Sequence, residues 1–271
     1  MKNHLLDLSS TDKKRKNSSN KLKIMSWNLQ SPSLDRMKKQ LSYIEKGGFD
    51  ILVLTELKVG KTFDALLVYL KYLGYICHYS DNINDEDYVT IISTKGLKSK
   101  KSILFDISRD EQRALLVDVY FPLGAISILG IYMPSFHPIY SKKSKIERKH
   151  HFNKKITQLL NKYFSGPSNR LVITGDLNIL EPNHKPSIDG YKQWEYMYND
   201  IIEFGMTDCF EIMKINEQEH SWYSHEGEGQ RLDHFFVDKR VEKSIRNCYY
   251  DHSPRINKLS DHSVMLLELF D

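Results

Sequence analysis

The stretch RLVITGDLN, residues 170–178, joins a predicted strand to a group of polar side chains. Its first five residues are mainly apolar and rich in β-branched side chains, a composition typical of a buried strand. Gly175 permits a sharp turn, and Asp176 and Asn178 follow at once. A strand that ends in this way can present polar groups rigidly to solvent, although an Asp or Asn beside a Gly is explained equally well by a simple turn.

Outward from this stretch, apolar strands and amphipathic helices continue along the chain. The predicted strands cover residues 23–27, 50–55, 88–94, 103–107, 113–120, 126–133, 170–174, 232–237 and 263–269, with a hairpin turn at 123–125. The predicted helices cover residues 34–44, 63–73, 145–163 and 193–204, and Gly74 ends the second. No linker rich in Pro, Gly or Ser interrupts them, so we expect one α+β domain over 21–271, with stacked sheets and outer helices.

Residues 1–20 differ in composition from the rest of the chain. They are rich in Ser, Asn and Lys and contain the basic run KKRK at 13–16, which predicts a disordered basic tail. Phosphate contact or nuclear targeting is the functional interpretation of the run. A solvated tail is favoured, because short basic runs are a weak pattern.

Composition narrows the class of protein. With 271 residues, 40% hydrophobic, 27% charged and a mean hydropathy of −0.50, the chain can bury a large core and is expected to be a soluble, monomeric globular protein. No apolar run of about 20 residues predicts a membrane span, and no secretory signal is evident. Cys77, Cys209 and Cys248 form no CxxC pair, which favours a cytoplasmic location. The net charge of +4 is compatible with a polyanionic partner without requiring one.

Polar residues recur at the ends of other predicted strands. They are Asn28, Glu56, Tyr132, Asp233 and the pair Asp261-His262. Carboxylate and amide oxygens that converge from separate strands are ligands that Mg²⁺ prefers. A metal held in this way neutralises a phosphate and stabilises the charge that develops during its hydrolysis.

Two Asp-His pairs compete for a role at this site. Asp261-His262 directly precedes an apolar strand that could hold the imidazole rigidly, whereas Asp251-His252 does not, so the former is favoured. A carboxylate hydrogen-bonded to a histidine raises the imidazole pKa and keeps the cation beside a phosphate. Asp233 is the candidate for that carboxylate.

The ordered set of motifs carries a family resemblance. It comprises Ser26-Trp27-Asn28, Leu54-Thr55-Glu56-Leu57-Lys58-Val59, Tyr132-Met133-Pro134, Gly175-Asp176-Leu177-Asn178, Ser221-Trp222, Arg231-Leu232-Asp233 and Leu259-Ser260-Asp261-His262. In this order the motifs resemble the endonuclease/exonuclease/phosphatase (DNase I-like) superfamily, and within it exonuclease III and related abasic-site endonucleases. The resemblance covers the chain from about Lys21 to Phe270. It implies a four-layer α/β/β/α sandwich of two mainly antiparallel sheets flanked by helices.

The resemblance also implies residue roles. Glu56 would be the principal Mg²⁺ ligand, with Asn28 and Asp261 nearby, and Mn²⁺ is the alternative ion. Asp176 would orient or deprotonate the attacking water, Asn178 would hold the water and the phosphate, His262 with Asp233 would contact the scissile phosphate, and Tyr132 would donate to a phosphate oxygen or the leaving group. Arg113 matches a DNA-contacting arginine or is a surface charge at a strand start. Trp222 would either stack near an extrahelical sugar or pack in the core.

The function implied by these roles is Mg²⁺-dependent hydrolysis of DNA, as a 3′–5′ exonuclease or abasic-site endonuclease, or both, in DNA repair. A first alternative keeps the chemistry and changes the substrate to RNA, inositol phosphates or lipid head groups. A second is a non-catalytic nucleic-acid-binding relative, which would require decay of the site. One departure from the family pattern is Gln30, which stands where several abasic-site endonucleases carry an acidic residue.

Overall fold

The computed structural model describes residues 21–81, 83, 86–102, 108–121, 124–135, 143–164, 170–215 and 217–270. The predicted tail at 1–20 and the predicted strand at 103–107 lie outside the described residues, as does part of the predicted turn at 123–125. Within the described ranges, no helix combines the length and the apolar character needed to cross a membrane.

The strands form two six-stranded sheets and one short hairpin. In chain order they are β1 (Lys21–Asn28), β2 (Ile51–Lys58), β3 (Tyr75–His78), β4 (Tyr88–Lys95), β5 (Lys98–Ser102), β6 (Ala114–Phe121), β7 (Gly124–Tyr132), β8 (Leu171–Asp176), β9 (Met206–Asp208), β10 (Trp222–Tyr223), β11 (Gly229–Gln230), β12 (Asp233–Asp238), β13 (Ile245–Asp251) and β14 (Val264–Phe270). The first sheet has the order β13-β14-β1-β2-β4-β3 and the second the order β5-β6-β7-β8-β12-β9. Strands β1 and β2 are parallel, as are β7 and β8, and the other pairs are antiparallel.

The longer helices of the described residues cover the outer faces of the sheets. In chain order, all the helices of these residues are α1 (Leu34–Gly47), α2 (Lys61–Tyr72), α3 (Lys143–Phe164), α4 (Asp189–Lys192), α5 (Glu195–Glu203), α6 (Cys209–Met213), α7 (Lys239–Glu242) and α8 (Ser253–Ile256), with a 3₁₀ turn at Ser108–Arg113. Helix α1 illustrates how the local sequence sets the bounds. It begins after Ser33, whose side chain accepts the backbone N–H of Arg36, and ends at Gly48, which has a φ of 61°.

Three apolar clusters separate four layers. The cluster between the sheets includes Val53 and Ile92 from the first sheet and Val117 and Ile128 from the second. A second cluster packs α1 and α2 against the outer face of the first sheet, and a third packs α3 and α5 against the outer face of the second. The predicted four-layer α/β/β/α arrangement is therefore confirmed.

The strands that the sequence pattern did not reveal lie mainly at the margins of the sheets. β3, β5, β9 and β13 are the four edge strands, and none of them was predicted. β5 has the sequence KSKKS, so it lacks the apolar alternation that predicts a strand. Lysines are common on edge strands because they discourage pairing with another chain. The weak signal therefore follows from the position of these strands in the sheets.

The parallel strand pairs bring the polar strand ends to one edge of the sandwich. β1, β2, β7 and β8 end there, and the antiparallel strands β12 and β14 begin there. Every polar residue that the sequence placed at a strand end therefore belongs to the same edge. This edge carries the candidate site.

Candidate active site

A cavity of about 500 Å³ opens at this edge. Its walls include the predicted residues Glu56, Arg113, Tyr132, Asp176, Asn178, Trp222, Asp261 and His262. Asn28 and Asp233 are both fully buried and contact residues of that wall from behind. The structure thus brings together all ten residues that the sequence singled out.

The pairing of β7, β8 and β12 sets the positions of the residues at the centre of the site. Tyr132 at the end of β7 is paired with Asp176 at the end of β8, and Asp176 is paired with Asp233 at the start of β12. Gly175 makes this close pairing feasible, because a Cβ at that position would lie 1.9 Å from the carbonyl oxygen of Ile131. With a φ of 138°, Gly175 also adopts a backbone conformation that favours glycine.

The Asp176 carboxylate is held from several directions. Its Oδ2 accepts Nδ2 of Asn28 at 2.9 Å, and its Oδ1 accepts the backbone N–H of Asn178 at 3.1 Å. Nε2 of His262 lies 3.8 Å from Oδ2. Burial raises the pKa of Asp176, while His262 opposes that shift and Asp233 adds to it. The carboxylate is therefore both oriented and more basic than an exposed Asp.

Asp233 and His262 form a buried pair. Nδ1 of His262 lies 2.7 Å from Oδ2 of Asp233, and the backbone N–H of Asp233 donates to Oγ of Ser221 at 3.2 Å. Burial disfavours the imidazolium, but the carboxylates of Asp233 and Asp176 outweigh it and raise the pKa of His262 to about 10. At neutral pH the ring is a cation that offers Nε2–H to the cavity. His252, the competing histidine, instead contacts Glu219 and Ser263.

Glu56 enters the site through an irregularity in β2. The register between β2 and β4 shifts between Leu54 and Leu57, and Glu56 has a φ of 56° at this bulge. A bulge re-aims one side chain, and a non-glycine residue at positive φ stores strain of the kind found at functional sites. Oε2 of Glu56 accepts Nδ2 of Asn28 at 2.8 Å, and the nearby Tyr132 hydroxyl favours the charged form of this carboxylate and so lowers its pKa.

The donor set at Glu56 suits a divalent cation. Burial raises the pKa of Glu56, and the nearby Asp261 carboxylate raises it further. Among the described residues, no Lys or Arg forms an ion pair with Glu56 or Asp261. Carboxylates without a Lys or Arg partner offer the oxygen donors that Mg²⁺ prefers. Asp176, Asp233 and His262 also place ligand-type atoms within 4.8 Å of one another, and Nδ1 of His262 is engaged by Asp233.

Asn28 differs in detail from its predicted role as a ligand. Its Nδ2 faces both Glu56 and Asp176, while its Oδ1 accepts the backbone N–H of Gln30 at 2.8 Å. An NH₂ group is a donor and cannot bind a cation. In this arrangement Asn28 therefore spaces the two carboxylates, and its oxygen is turned away from them. Gln30 supplies no charge, and its Oε1 accepts from Arg36 at 2.8 Å.

Arg113 is not the surface charge that was one of its two interpretations. Its side chain is buried, with 4% of the residue exposed, and it donates to Asp87 through Nε at 2.9 Å. The guanidinium packs over the ring of Tyr132 at 4.6 Å and over that of Tyr88 at 5.2 Å. Arg113 thus supports the cavity wall beside Tyr132, and Arg148 from α3 also contacts Asp87.

Trp222 is half-buried, so neither of its two interpretations describes it alone. It packs partly against the core of the second sheet and also lines the cavity. Its Nε1 donates to Oδ2 of Asp261 at 3.0 Å. The ring therefore holds one of the candidate metal carboxylates in place.

Comparisons with known proteins identify the family of this chain. A family model described as the Endonuclease/Exonuclease/phosphatase family matches residues 25–262. The chain belongs to this family. The matched range runs from β1 to His262 and so includes every residue of the cavity named above. A comparison with curated protein sequences yields no match.

Solved structures share the fold of this family member. An AP endonuclease from Archaeoglobus fulgidus is 23% identical, with a TM-score of 0.76 over 92% of this chain and 99% of that chain. A 3′-5′ exonuclease, NExo, from Neisseria meningitidis is 20% identical, with a TM-score of 0.74 over 92% of this chain and 100% of that chain. At these identities the likeness establishes the fold, and the match to the family model confirms the predicted superfamily and its phosphoester-hydrolysing class of enzyme.

Several cavity residues were missed by sequence reasoning. They are Tyr88, Lys145, Arg148 and Tyr191, which line the cavity, and Asp87, which anchors its wall. Arg148 lies in a helix where basic residues are frequent, so nothing in the local pattern distinguishes it. Asp87 stands just before β4, and an acidic residue in a loop gives no local sign of a buried role. Only the contacts in space identify these residues.

Proposed function

We propose that this family member is a Mg²⁺-dependent phosphodiesterase that hydrolyses DNA, as a 3′–5′ exonuclease, an abasic-site endonuclease or both, in DNA repair. One observation carries the proposal. The basic carboxylate of Asp176 lies 3.8 Å from the His262 cation that Asp233 holds, in the same cavity as Glu56 and Asp261. A proton acceptor, a fixed cation and a pair of metal-type ligands are the parts that phosphodiester hydrolysis requires.

Asp176 is the proposed acceptor of the water proton. Its raised pKa makes it a stronger base than an exposed Asp, and its bonds to Asn28 and Asn178 fix its orientation. Asn178 is proposed to hold the water and a phosphate oxygen. General bases within hydrogen-bond reach of a water accelerate its attack by about 10²- to 10⁴-fold.

His262 and Tyr132 are proposed to act on the phosphate. His262 remains a cation near neutral pH, so its Nε2–H stabilises the negative charge that grows on a phosphate oxygen. Tyr132 lines the same cavity, and burial beside Glu56 and Asp176 raises its pKa. A tyrosine that stays protonated is a hydrogen-bond donor, here to a phosphate oxygen or to the leaving group.

Glu56 and Asp261 are the proposed metal ligands, with Trp222 fixing Asp261. A bound Mg²⁺, or Mn²⁺ in its place, would neutralise the phosphate and stabilise the leaving oxygen. The role of Asn28 is limited by the direction of its amide, and we propose that it keeps the two acidic groups apart.

DNA is the proposed substrate. Structures of this fold include an AP endonuclease and a 3′ phosphatase, NExo, bound to a product DNA hairpin. In this chain the aromatic ring of Trp222 lies in the cavity wall, where a displaced sugar or base could stack on it. Arg113 is proposed to act near the substrate through Tyr132, which its guanidinium covers.

A nicking assay tests the proposal. Purified protein should cleave a duplex that contains an abasic analogue in the presence of Mg²⁺, and should degrade a plain duplex from its 3′ ends. Excess EDTA should abolish both activities, and added Mg²⁺ should restore them. Cleavage that persists in EDTA would contradict the metal assignment.

A parallel substrate panel tests the choice of DNA. Duplex DNA, RNA, inositol phosphates and lipid head groups are offered at equal concentration under the same conditions. We expect turnover of DNA to exceed that of the other classes. Faster turnover of any other class would overturn the DNA assignment while retaining the chemistry, and no turnover at all would leave a non-catalytic relative.

A further inference from the structure

Lys149 is a buried basic residue that the proposed chemistry does not use. It lies on α3 and is 0% exposed, on the same face as Phe152 and Ile156, which pack in the core of the second sheet. Helical spacing calls for an apolar residue at this position. Burying a lysine amine there carries a cost in desolvation that an apolar side chain would avoid. The presence of lysine therefore requires an explanation other than packing.

The contacts of Lys149 point toward the active site. Its Nζ donates to the backbone carbonyl of Asn178, and the same amine lies 4.8 Å from the ring centre of Trp194. Within the described residues, Lys149 forms no ion pair with a carboxylate. The backbone of the Asn178 turn is thus the hydrogen-bond partner that the structure gives to this amine.

The Asn178 turn is the part of the site that most needs support. Asn178 has a φ of 49°, a left-handed conformation that costs free energy for a residue with a side chain. Its backbone N–H orients Asp176, and its Nδ2 donates to the carbonyl of Met133 at 3.0 Å. A shift of this turn would move the proposed water-binding residues together.

We propose that Lys149 is a positioning residue for phosphodiester hydrolysis: its amine holds the Asn178 carbonyl from the core side, so that the strained turn keeps Asp176 and Asn178 directed into the cavity. The inference rests on the proposed function. It assigns Lys149 no contact with substrate.

The ionisation of Lys149 is consistent with this role. Burial lowers the pKa of the Lys149 amine to about 7, and the nearby Asp176 carboxylate opposes the shift. Both the ammonium and the neutral amine carry N–H groups. The bond to Asn178 can therefore persist on either side of neutral pH.

Two matched substitutions test the proposal. Lys149→Met keeps an unbranched chain of similar size and removes the donor, whereas Lys149→Gln keeps a donor on a side chain that is one atom shorter. We expect Lys149→Met to lower kcat by about 10- to 100-fold, as small displacements of catalytic groups do, with little change in KM. Its stability should be equal to or greater than that of the wild type, because a buried polar group is replaced by an apolar one. Lys149→Gln should retain more of kcat than Lys149→Met.

Asn153 provides a control on the same helix. It is buried, and its Nδ2 donates to Asp200 at 3.3 Å, away from the cavity lining. Asn153→Leu should leave kcat unchanged. A Lys149→Met enzyme with wild-type kcat, or one whose kcat returns fully when it is stabilised by lower temperature, would overturn the proposal.

A measurement that does not depend on enzymatic turnover separates this inference from the proposed function. Hydrogen exchange of the backbone amides at residues 176–179 should be faster in Lys149→Gln and Lys149→Met than in the wild type, and unchanged in Asn153→Leu. If the wild type hydrolyses no phosphodiester, the proposed function fails, and exchange still decides whether Lys149 holds the turn. Unchanged exchange at 176–179 in both Lys149 variants would refute the positioning role.

Discussion

His262 shows how single contacts set the chemistry at the scale of the residue. A buried imidazole without a partner would lose its proton, because burial disfavours the cation. Asp233 at 2.7 Å reverses this tendency. Asp176 responds in a different way, since burial raises its pKa while the His262 cation restrains the rise. The pKa values of His262 and Asp176 therefore each depend on the charges of the neighbouring groups.

The raised pKa of His262 predicts a pH dependence of stability. The folded-state pKa of about 10 exceeds the ordinary histidine value of about 6.5, so the folded protein binds this proton more tightly than the unfolded chain. The stabilisation should be complete below about pH 6.5 and lost as pH rises toward 10. Urea unfolding at pH 6, 8 and 10 measures it. A His262→Gln variant should lose less stability over this window, and parallel curves for the two proteins would contradict the prediction.

Asp176→Asn should separate catalysis from binding. The amide has nearly the same shape and cannot accept a proton, so kcat on the abasic duplex should fall by about 10²- to 10⁴-fold. Folding should be retained. Asp118→Asn is a suitable control, because Asp118 accepts from Ser102 and Ser127 and does not line the cavity. Weaker DNA binding with an unchanged kcat would instead indicate a structural role for Asp176.

At the scale of the element, irregularities in the strands aim the candidate catalytic side chains. The bulge in β2 turns Glu56 toward Asn28, and the left-handed turn after β8 turns Asn178 toward the cavity. A regular strand would direct alternate side chains to opposite faces of the sheet. The neighbouring strands stabilise these departures from regular geometry, because their pairing and burial offset the backbone strain.

Gly175 at the end of β8 allows a direct test of this element. Gly175→Ala would bring a Cβ to 1.9 Å from the carbonyl oxygen of Ile131, so we expect a loss of more than about 4 kcal/mol in the free energy of unfolding. Gly205 is the matched control, because its φ of 95° is also positive but its Cβ would meet nothing within 4 Å. Gly205→Ala should cost only about 1–2 kcal/mol. Chemical denaturation of both variants measures the two losses in the free energy of unfolding, and equal losses would argue against the steric explanation.

At the scale of the whole molecule, the site exists because two sheets stack. Asn28, Glu56 and His262 belong to the first sheet or to the segment that enters it, whereas Asp176 and Asp233 belong to the second. The contacts from Asn28 to Asp176 and from His262 to Asp233 cross between them. A change in the separation of the sheets should therefore alter stability and catalysis together.

Gly130 on β7 tests this coupling. A Cβ added there would lie 2.8 Å from Cγ1 of Val53 on β2, in the layer between the sheets. Gly130→Ala should cost about 1–3 kcal/mol of stability and should also lower kcat. Adding Val53→Ala should recover part of both losses, and a double-mutant cycle should give a coupling of at least about 0.5 kcal/mol. Additive costs would show that the sheets adjust independently of this contact.

Some strands of the fold and some residues of the site could be predicted from the sequence, and others could not. Buried strands such as β2, β8 and β14 were predictable, since their apolar runs are strong local signals. Edge strands such as β5 were missed because charged residues carry no such signal. The single domain over 21–271, the monomeric state and the cytoplasmic location remain predictions. Among the site residues, Asp176 and His262 were found through motifs, whereas Lys149 appeared as one lysine in a basic helix.

Local sequence was sufficient for the central strands, for the polar residues at their ends and, through the order of its motifs, for the family. Tertiary structure alone established that Asn28 turns its NH₂ toward Glu56 and Asp176, that Arg113 is buried, and that the Lys149 amine donates to the Asn178 carbonyl. The reason is physical. Periodicity and turn chemistry act over a few neighbouring residues, whereas burial, hydrogen-bond direction and pKa depend on groups that are distant in the chain and meet only when the sheets pack.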